Sequence, residues 1–285
     1  MSLTTITSGV KLIPASQMSL DELTAIYNQT RVDYIVPMPM TKARLEEYIH
    51  TYDVNLTHSL VATDQNGALL GVAMLGIREK RAWITRLGVV PTSRRHGAGE
   101  ALMTGLLENS TRLEIPLVML EVIKNNLSAY QLFLKLGFRE NNELLILRRP
   151  PTGNSPMPAT MEWKRLDRIE SLDLVCQEGG AQPWTNQCES FQNAEDVSGL
   201  RLTLSDRSSG WLVYQRRKFT LTRFACKAER GAPADVTYSL LLHLHHMHSN
   251  LDAQIENISK NDPCLPGFYK MGYIESFHRI EMWKR

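Results

Sequence analysis

The stretch from Ile84 to Met103 constrains the fold of this chain more than any other part of the sequence. It opens with apolar residues that are mostly β-formers, as a buried strand does. Pro91 ends that run, and a basic turn with two glycines follows. From Glu100 onward the apolar residues recur at helical spacing. The sequence therefore predicts a strand, a tight turn and a helix in direct succession.

The chemistry of this turn favours an anion. Glycine permits positive φ and close approach to the backbone, and the first N–H groups of a helix have no partner within it. With the helix dipole these amides form a phosphate site, to which arginine adds charge-assisted donors. A basic loop whose glycines serve only the turn is an equally good interpretation of the turn alone. The candidate phosphate contacts are Arg94, Arg95, His96, Gly97, Ala98, Gly99 and Glu100.

Composition bounds the class of protein. The 285 residues are 43% hydrophobic and 22% charged, which is typical of a soluble globular protein with one large or two ordinary domains. The net charge of +2 is too small to indicate a nucleic-acid or membrane partner. No apolar run has the length of a membrane span, and no secretory signal is predicted. The four cysteines show no C-x-x-C spacing, so we expect reduced thiols in a cytoplasmic protein.

Local signals predict the order β-α-α-β-β-β-α-β-α-β for the first half of the chain. The segment Ser19-Leu-Asp-Glu22 is a capping box that begins a helix to about Thr30, and Thr41 can cap a second helix. Asn66-Gly67 is a hairpin signal between two apolar runs. The remaining strands and the last helix are predicted over 10–13, 59–63, 68–77, 116–123, 126–136 and 143–148.

Two sequence blocks give the chain a resemblance to a known family. In the first, Arg94, Gly97 and Gly99 match an R/Q-x-x-G-x-G/A phosphate turn. The second covers 126–138 and is similar to an N-x-x-A-x-x-L-Y-x-x-x-G-F helix. Its matching positions are Asn126, Ala129, Leu132, Gly137 and Phe138. In this order and spacing the blocks resemble the GNAT superfamily of acyl-CoA-dependent N-acyltransferases, over roughly residues 8–149.

The second half of the chain repeats the first at a shift of 135 residues. Phe133-Leu-Lys-Leu-Gly-Phe138 falls on Phe268-Tyr-Lys-Met-Gly-Tyr273 without a gap, although a chance likeness of strand-helix patterns is the alternative. In the same frame the phosphate turn falls on 229–234, where a carboxylate replaces the arginine and a proline removes an N–H. The second copy is therefore predicted to be degenerate and not to bind CoA by the usual route.

Four prolines mark the end of the first copy. They fall within 147–160, a stretch that cannot continue a helix or strand. We predict a GNAT-like acyl-CoA-binding domain over 1–149, a linker over 150–160 and a degenerate GNAT-like domain over 161–285. The predicted class is α/β (α+β), each domain being a mixed, mostly antiparallel twisted sheet flanked by helices.

The resemblance implies transfer of an acetyl group from acetyl-CoA, as co-substrate, to a primary amine, with no metal. It implies a pyrophosphate on the amides of the turn and a pantetheine arm along the preceding strand, where an N–H near Val89 polarises the thioester carbonyl. Asn126 reaches the arm from the other side, although a helix N-cap explains it equally well. The implied contacts outside the turn are Leu87, Gly88, Val89, Asn126, Ala129 and Phe133.

The amine must lose a proton before it attacks. A lysine-like amine of pKa ~10.4 makes this cost ~4–5 kcal/mol at pH 7. Glu121 is the preferred candidate base and Glu79 the second. The alternatives are a structural ion pair of Glu121 with Arg86 or Lys124, or a chain of waters that takes the proton. Phe133 stands where many relatives carry the tyrosine that protonates the leaving thiolate. Tyr130, one turn earlier on the same helix, is the substitute candidate acid.

The acceptor itself is not determined by the sequence. Tyr34 and Met38, in a proline-containing loop, and Glu79 are the candidate contacts, although loop residues that merely pack on the core explain the first two equally well. A small-molecule amine and a protein amine both fit, and the oligomeric state stays open, a homodimer included. The alternative function is an acyl-CoA-binding regulatory protein without turnover. The histidines within 243–248 lack a recognisable metal spacing, so no metal site is predicted.

Overall fold

In the computed structural model, which describes residues 6–7, 9–34, 36, 39–152, 161–179 and 182–285, the chain divides into two units. One unit is Met1–Asn141 with Glu281–Arg285, and the other is Asn142–Ile280. The linker predicted over 150–160 lies outside the described residues from 153 onward, as does Met38. The predicted domain boundary therefore stays a prediction.

The first unit contains the predicted elements up to the helix predicted over 126–136, and the last predicted strand, 143–148, lies in the second unit. Its sheet runs in the order β1-β2-β3-β4-β5-β6, antiparallel except where β5 and β6 run parallel. The strands are β1 (Ile6–Thr7), β2 (Val10–Pro14), β3 (Leu60–Thr63), β4 (Leu69–Arg78), β5 (Arg81–Val89) and β6 (Leu117–Ile123). The helices are α1 (Leu20–Gln29), α2 (Lys42–Thr51), α3 (Ala98–Arg112) and α4 (Leu127–Lys135).

Side-chain caps start the first two helices where the sequence predicts them. Ser19 accepts a hydrogen bond from the Glu22 amide, and the Glu22 carboxylate accepts one from the Ser19 amide at 2.7 Å. Thr41 caps α2 by accepting from the Arg44 amide at 3.3 Å. Each bond satisfies a backbone donor at a helix start, so the capping predictions are confirmed.

Helices cover both faces of the first sheet. On one face Leu23 and Tyr27 of α1 pack with Val72 of β4 in a buried cluster. On the other face α3 lies so close that a Cβ on Gly105 would come within 2.6 Å of the Leu60 side chain. Glycine at this helix position lets α3 approach the sheet, which fixes the end of β5 and the start of α3 relative to each other.

The second unit is built on the same plan. Its sheet has the order β7-β12-β11-β10-β9-β8, and only β11 and β12 run parallel. Its strands are β7 (Arg139–Arg149, from residue 142 on), β8 (Met161–Leu166), β9 (Val197–Leu204), β10 (Ser209–Arg216), β11 (Thr220–Arg230), β12 (Asp252–Ser259) and β13 (Ile274–Lys284, to residue 280). Its helices are α5 (Arg168–Gln177), α6 (Cys188–Gln192), α7 (Pro233–Met247) and α8 (Leu265–Lys270).

Element lengths confirm the internal repeat. Helices α3 and α7 both have 15 residues and begin at 98 and 233. Strands β7 and β13 both have 11 residues and begin at 139 and 274. Both pairs are offset by 135 residues, as the ungapped sequence frame predicts. The chain is therefore a tandem of two copies of one fold.

Each unit takes a strand segment from the other half of the sequence. In the second unit β12 pairs antiparallel with β7, with Ile255 opposite Leu147. In the first unit Asn141 donates a hydrogen bond of 2.6 Å to Glu281, near the end of β13. Hydrophobic patterning predicts each strand but not its partner, so this exchange is not visible in the sequence.

The cysteine prediction is partly wrong. Cys176 and Cys188 form a disulfide with a Cα–Cα distance of 4.8 Å, joining α5 to the first residue of α6. Cys226 and Cys264 are free thiols. The absence of a C-x-x-C motif does not reveal that α5 and α6 pack together, and spatial proximity decides which thiols can pair.

Candidate active site

An opening between β5 and β6 is the central feature of the first unit. The parallel pairing of the two strands runs from Arg81 opposite Leu117 to Ile84 opposite Leu120 and ends there. Both strands nevertheless continue, β5 to Val89 and β6 to Ile123. The backbone edges beyond Ile84 and Leu120 are therefore not joined to each other, and unpaired strand edges can accept an extended ligand.

A bulge in β5 sits at the start of this opening. Thr85 lies opposite Met74 and Gly88 opposite Val72, so two residues of β5 face one of β4. Arg86, the first of the two, has φ 54°, a left-handed conformation that costs a non-glycine residue ~1–2 kcal/mol. Bulges redirect side chains and occur often beside active sites.

Beyond the bulge, the carbonyls of Leu87 and Val89 face the opening. The Val90 amide donates to Leu70 of β4, so its neighbour Val89 presents its backbone to the other side. The Leu87 carbonyl accepts from Arg31 Nη2 at 2.9 Å and the Val89 carbonyl from Arg94 Nε at 3.2 Å. Both residues therefore lie on β5 beyond its last pairing with β6, with their carbonyls bonded to arginine side chains, and contact with a ligand stays a prediction.

Gly88, the third predicted backbone contact, has a different role in the structure. It pairs with Val72 of β4, and a Cβ placed on it would lie 2.3 Å from the Thr30 hydroxyl oxygen. Glycine is therefore required here because the end of α1 packs directly on β5.

The predicted phosphate turn has the geometry of an anion site. Gly97 is the N-cap of α3 with φ 84°, and the first intrahelical bond runs from the Ala101 amide to the Gly97 carbonyl. The amides of Ala98, Gly99 and Glu100 therefore have no acceptor within the helix. They point along the positive end of the helix dipole, as phosphate sites require.

The arginines of the turn divide into two roles. Arg94 forms a bidentate ion pair with Asp33, with both N–O distances at 2.7 Å, and its hydrogen bonds hold the Asp33 pKa below its usual value. Its guanidinium therefore fixes the turn to the loop after α1. Arg95 forms no ion pair with any described residue, and His96 is exposed at the same turn.

Helix α4 carries the second sequence block. Asn126 is its N-cap and accepts from the Ala129 amide at 3.3 Å, so the capping interpretation is confirmed and contact with a ligand stays a prediction. Phe133 is buried, with its ring centroid 6.1 Å from that of Phe138. Its position is therefore structural, and it has no proton to transfer.

The hydroxyl of Tyr130 is hydrogen-bonded to a carboxylate. The hydroxyl donates a short hydrogen bond to Glu140, and this bond raises the pKa of the tyrosine. Protonation of a leaving thiolate by Tyr130 would have to break that bond first.

Of the two candidate bases, Glu121 lies beside the opening. It is the first residue of β6 after the last paired position, and its Oε2 accepts from Trp83 Nε1 at 2.8 Å. Glu79 lies in the β4–β5 turn, next to the Arg78–Arg81 pair. The opening is at the other end of β5, so the structure does not bring Glu79 together with the other predicted residues.

Aromatic residues form a packed cluster where the opening begins. The rings of Tyr48, Tyr52 and Trp83 have centroids 4.7–6.2 Å apart. The Tyr48 hydroxyl lies 2.6 Å from Thr85 Oγ1, and burial raises the Tyr48 pKa well above its usual value. The Tyr48 hydroxyl therefore stays protonated and neutral, and it does not act as a base.

Two arginines lie against tyrosine rings of this region, and the sequence analysis did not select them as site residues. The Arg86 guanidinium lies 4.1 Å from the centroid of Tyr48, and that of Arg31 lies 4.2 Å from the centroid of Tyr34. Both also lie within 5.5 Å of the Tyr27 centroid. A charged residue inside an apolar strand, as Arg86 is, was the available sequence signal.

The corresponding region of the second unit is closed. Its parallel pairing covers only Thr220 and Leu221 of β11, but the space beyond is filled by the rings of Phe224, Phe268 and Tyr273, with centroids 5.3–6.5 Å apart. The thiol of Cys264, at the start of α8, donates to the carbonyl of Cys226 on β11. Strand β11 continues to Arg230 beyond this pairing, so packed side chains and not strand pairing distinguish this region from the first unit.

The turn of the second unit also differs from that of the first. Ala232, the N-cap of α7, has φ −74°, where Gly97 has φ 84°. Glu229 is paired with Arg201, so its charge is neutralised within the protein. A Cβ on Gly267 would lie 2.6 Å from the Ala234 carbonyl, so α8 packs against the start of α7. These contacts account for the degenerate character of the second copy.

Two of the three histidines of α7 belong to the core, and His246 is exposed. His243 and His245 are each 1% exposed; the first lies against Trp163, with centroids 4.0 Å apart, and the second bonds Tyr273 at 3.0 Å. Across the described ranges, no group of three or more His, Cys, Asp or Glu residues is arranged to hold a metal ion. In the same part of the chain, no helix combines the length and apolar character that a membrane span needs.

Burial of His245 predicts loss of stability in acid. Burial, with the nearby Arg149 as a second cause, lowers its pKa to about 3, against ~6.5 in an unfolded chain. Between these values the unfolded state binds more protons, so the free energy of unfolding falls as the pH drops from ~6.5 toward 3. Urea titrations followed by tryptophan fluorescence should show this decline. His245→Phe should flatten it and the exposed His96→Gln should not; an unchanged slope in His245→Phe would contradict the assignment.

Comparisons with known proteins agree with this geometry. The model of the acetyltransferase (GNAT) family matches residues 22–138. A GCN5-related N-acetyltransferase from Sphaerobacter thermophilus has a TM-score of 0.70 at 14% identity, covering 98% of this chain and 96% of that one. A tandem GNAT protein of the clavulanic acid biosynthesis pathway has a TM-score of 0.67 at 12% identity, covering 96% and 98%. No curated protein matches the sequence.

A third solved structure has a similar fold. It is the glucosamine N-acetyltransferase region of a fungal multi-domain β-N-acetylglucosaminidase, with a TM-score of 0.69 at 14% identity, covering 97% of this chain and 38% of that one. Identities this low establish the fold alone.

The fold of the chain is similar to that of solved GNAT proteins. The residues that match the acetyltransferase (GNAT) family model, 22–138, lie within the first unit. The whole chain has the tandem arrangement, with an intact first copy and a degenerate second copy.

Proposed function

We propose that the first unit transfers an acetyl group from acetyl-CoA to a primary amine. The observation that carries this proposal is the opening beyond Ile84 and Leu120, because it exposes the β5 edge next to the free amides of the phosphate turn. The pyrophosphate takes the amides of Ala98, Gly99 and Glu100, and the arm extends along Leu87 and Val89. Acetyl-CoA supplies the thioester; the chain supplies position and charge.

The residues at the start of the opening then serve the amine. Glu121 takes the proton from the attacking nitrogen. Trp83 Nε1 donates a hydrogen bond of 2.8 Å to Glu121 Oε2 and so orients the carboxylate. A backbone N–H on the opening side of β5, at Val89, stabilises the developing oxyanion. The new N–C bond forms as the C–S bond breaks, and the thiolate leaves with its proton from solvent, since Phe133 has none to give.

Substitution of Gly99 tests the proposal through two quantities, the affinity for acetyl-CoA and the free energy of unfolding. It has helical φ and occupies α3, where glycine costs about 0.5–1 kcal/mol relative to alanine. A Cβ there would find only ordinary contacts, 3.5 Å from Val89 and 3.9 Å from Leu132. The protein itself therefore does not require glycine, while a ligand passing between β5 and α4 does.

We expect Gly99→Ala to raise the free energy of unfolding by about 0.5–1 kcal/mol and to weaken acetyl-CoA binding. Calorimetric titration of acetyl-CoA into the unaltered chain should give one site, and urea titrations measure the stability. The matched control is Gly105→Ala, where a Cβ would collide with Leu60 at 2.6 Å and should destabilise without selecting against the ligand. Two equal sites per chain, or none, would overturn the proposal.

A second function is favoured because no tyrosine of α4 is available as the general acid that protonates the leaving thiolate. Phe133 is buried and Tyr130 is bonded to Glu140, so no tyrosine on α4 is ready to protonate a thiolate. An acyl-CoA-binding regulatory protein without turnover would have this arrangement. Release of free thiol from acetyl-CoA in the presence of an amine panel separates the two, because the regulator binds acetyl-CoA but releases none.

A further inference from the structure

A short segment at the end of α1, residues 30–34, lies against the end of β5, and we call it the strap. The Thr30 side chain packs on Gly88, where an added Cβ would come within 2.3 Å of the threonine hydroxyl oxygen. Next to it, Arg31 Nη2 donates to the Leu87 carbonyl at 2.9 Å. The strap therefore contacts β5 at two consecutive residues beyond the last pairing of β5 with β6.

Arg94 joins the strap to the next carbonyl of this edge. Its Nε donates to the Val89 carbonyl at 3.2 Å, and its Nη2 donates to the Thr30 carbonyl at 3.4 Å. Its two terminal nitrogens also donate to the Asp33 carboxylate, each at 2.7 Å. The carbonyls of Leu87 and Val89, along which the proposed function lays the arm of acetyl-CoA, thus each accept a guanidinium donor in the free protein.

The same arginine lies near the free amides of the phosphate turn. Val89, whose carbonyl accepts from Arg94, has a side-chain carbon 3.5 Å from the position of a Cβ on Gly99, so the start of α3 also lies against Val89. A phosphate on those amides and the Asp33 carboxylate are both anions that a guanidinium binds through paired hydrogen bonds. Because the two carry like charge, a bound phosphate competes with Asp33 for Arg94.

The contacts that hold the strap are exposed or incomplete. The side chains of Arg94 and Asp33 are 39% and 51% exposed, and Val32, between the two attachment points, is 79% exposed. Arg31 Nε is buried and has no hydrogen-bond partner among the described residues. Exposed ion pairs contribute little stability, and an unsatisfied buried donor opposes it, so a polyanionic ligand can displace the strap.

We propose that the strap is an autoinhibitory contact, which occupies the β5 edge in the free protein and is displaced when acetyl-CoA binds. This inference rests on the acetyl-CoA site of the proposed function and adds a barrier that binding has to overcome. A phosphate replaces Asp33 at Arg94, and the amides of the arm replace the guanidinium donors at Leu87 and Val89. The strap therefore lowers the affinity for acetyl-CoA without taking part in the transfer.

Substitution of Asp33 tests the competition in the full chain. Asp33→Asn should raise the affinity for acetyl-CoA ~3–10-fold, because the carboxylate no longer competes with the phosphate, and calorimetric titration measures it. Asp21→Asn is the matched control, since this carboxylate lies in the first turn of α1 and pairs with Lys42 at the same distance of 2.7 Å. The control should change the affinity less than twofold. A lower affinity in Asp33→Asn would show that Asp33 supports the site, and this would overturn the proposal.

Arg31→Met distinguishes the strap from a general effect of charge. Loss of a cation near an anionic ligand weakens binding by simple electrostatics, whereas release of the Leu87 carbonyl strengthens it. Methionine has an unbranched chain that can pack on the Tyr34 ring but has no donor for the carbonyl. We therefore expect the affinity for acetyl-CoA to rise ~2–5-fold. A fall in affinity would leave charge as the explanation and would contradict the strap.

Binding and turnover together separate this proposal from the proposed function. If both variants bind acetyl-CoA more tightly but no amine gives thiol release, the strap stands and acetyl transfer falls. If thiol is released and neither variant gains affinity, transfer stands and the strap falls. If only Asp33→Asn binds acetyl-CoA and the unaltered chain does not, the strap stands and acetyl transfer by the unaltered chain falls. If neither of these two proteins binds acetyl-CoA, both proposals fall.

Discussion

Substitution of Glu121 by glutamine is expected to lower kcat for acetyl transfer by ~10²–10⁴-fold, the contribution typical of a general base. The amide keeps an oxygen that can accept from Trp83 Nε1, so the local packing is preserved while the proton acceptor is lost. Acetyl-CoA affinity should stay within about twofold, because the phosphate turn and the β5 edge are untouched. Thiol release and calorimetric titration measure the two quantities.

The pH dependence of the rate is the control for this prediction. A glutamine at this position leaves only amine molecules that are already deprotonated in solution, so the rate of the variant should keep rising with pH up to the pKa of the amine. Glu79→Gln is the comparison, since that side chain lies in the turn at the far end of β5. Loss of activity in Glu79→Gln with retention in Glu121→Gln would reverse the assignment.

Substitution of Gly97 by proline is expected to abolish acetyl-CoA binding, with affinity more than ~100-fold lower. Gly97 has φ 84°, and proline is fixed near φ −65°. The turn must rebuild, and the amides of Ala98 to Glu100 then no longer converge on one point. Calorimetric titration with acetyl-CoA measures the loss.

The chain contains a matched control for this variant. Gly67, in the turn between β3 and β4, has φ 85°, and neither glycine has any atom within 4 Å of an added Cβ. Alanine at either site therefore introduces backbone strain without a collision, and proline at Gly67 also removes the hydrogen bond of 3.2 Å from the Gly67 amide to the Asp64 carbonyl. Both variants should lose stability, but only the Gly97 variants should lose acetyl-CoA. Equal loss of binding in the Gly67 variants would mean that instability alone is the cause.

Local residue chemistry predicted much of the first unit. The capping box at Ser19, the hairpin signal at Gly67 and the turn at Gly97 all depend on contacts within four residues along the chain. Such contacts depend only on residues that are close together in the sequence, which is why the predicted order of elements was correct. The repeat frame was also correct, because two copies of one fold keep the same element lengths.

The site was predicted only in part, for a physical reason. Arg94 was expected to face a phosphate, but Asp33, 61 residues away, holds its guanidinium. Arg31 and Arg86 were not selected, although they flank Tyr27 from two different elements. Ion pairs and stacking between distant residues depend on how helices pack on strands, and no periodic pattern records them.

The sequence by itself determined that the chain is a duplicated GNAT-like fold with one intact phosphate turn. Glycine conformation, helix caps and hydrophobic period are local properties, and each acts before the chain is compact. The tertiary structure alone decided three further matters: the opening beyond Ile84 and Leu120, the disulfide of Cys176, and the transfer of Glu281–Arg285 to the first unit. Each depends on which strand edges and side chains meet across long sequence separations, where packing selects one partner among many that the pattern permits.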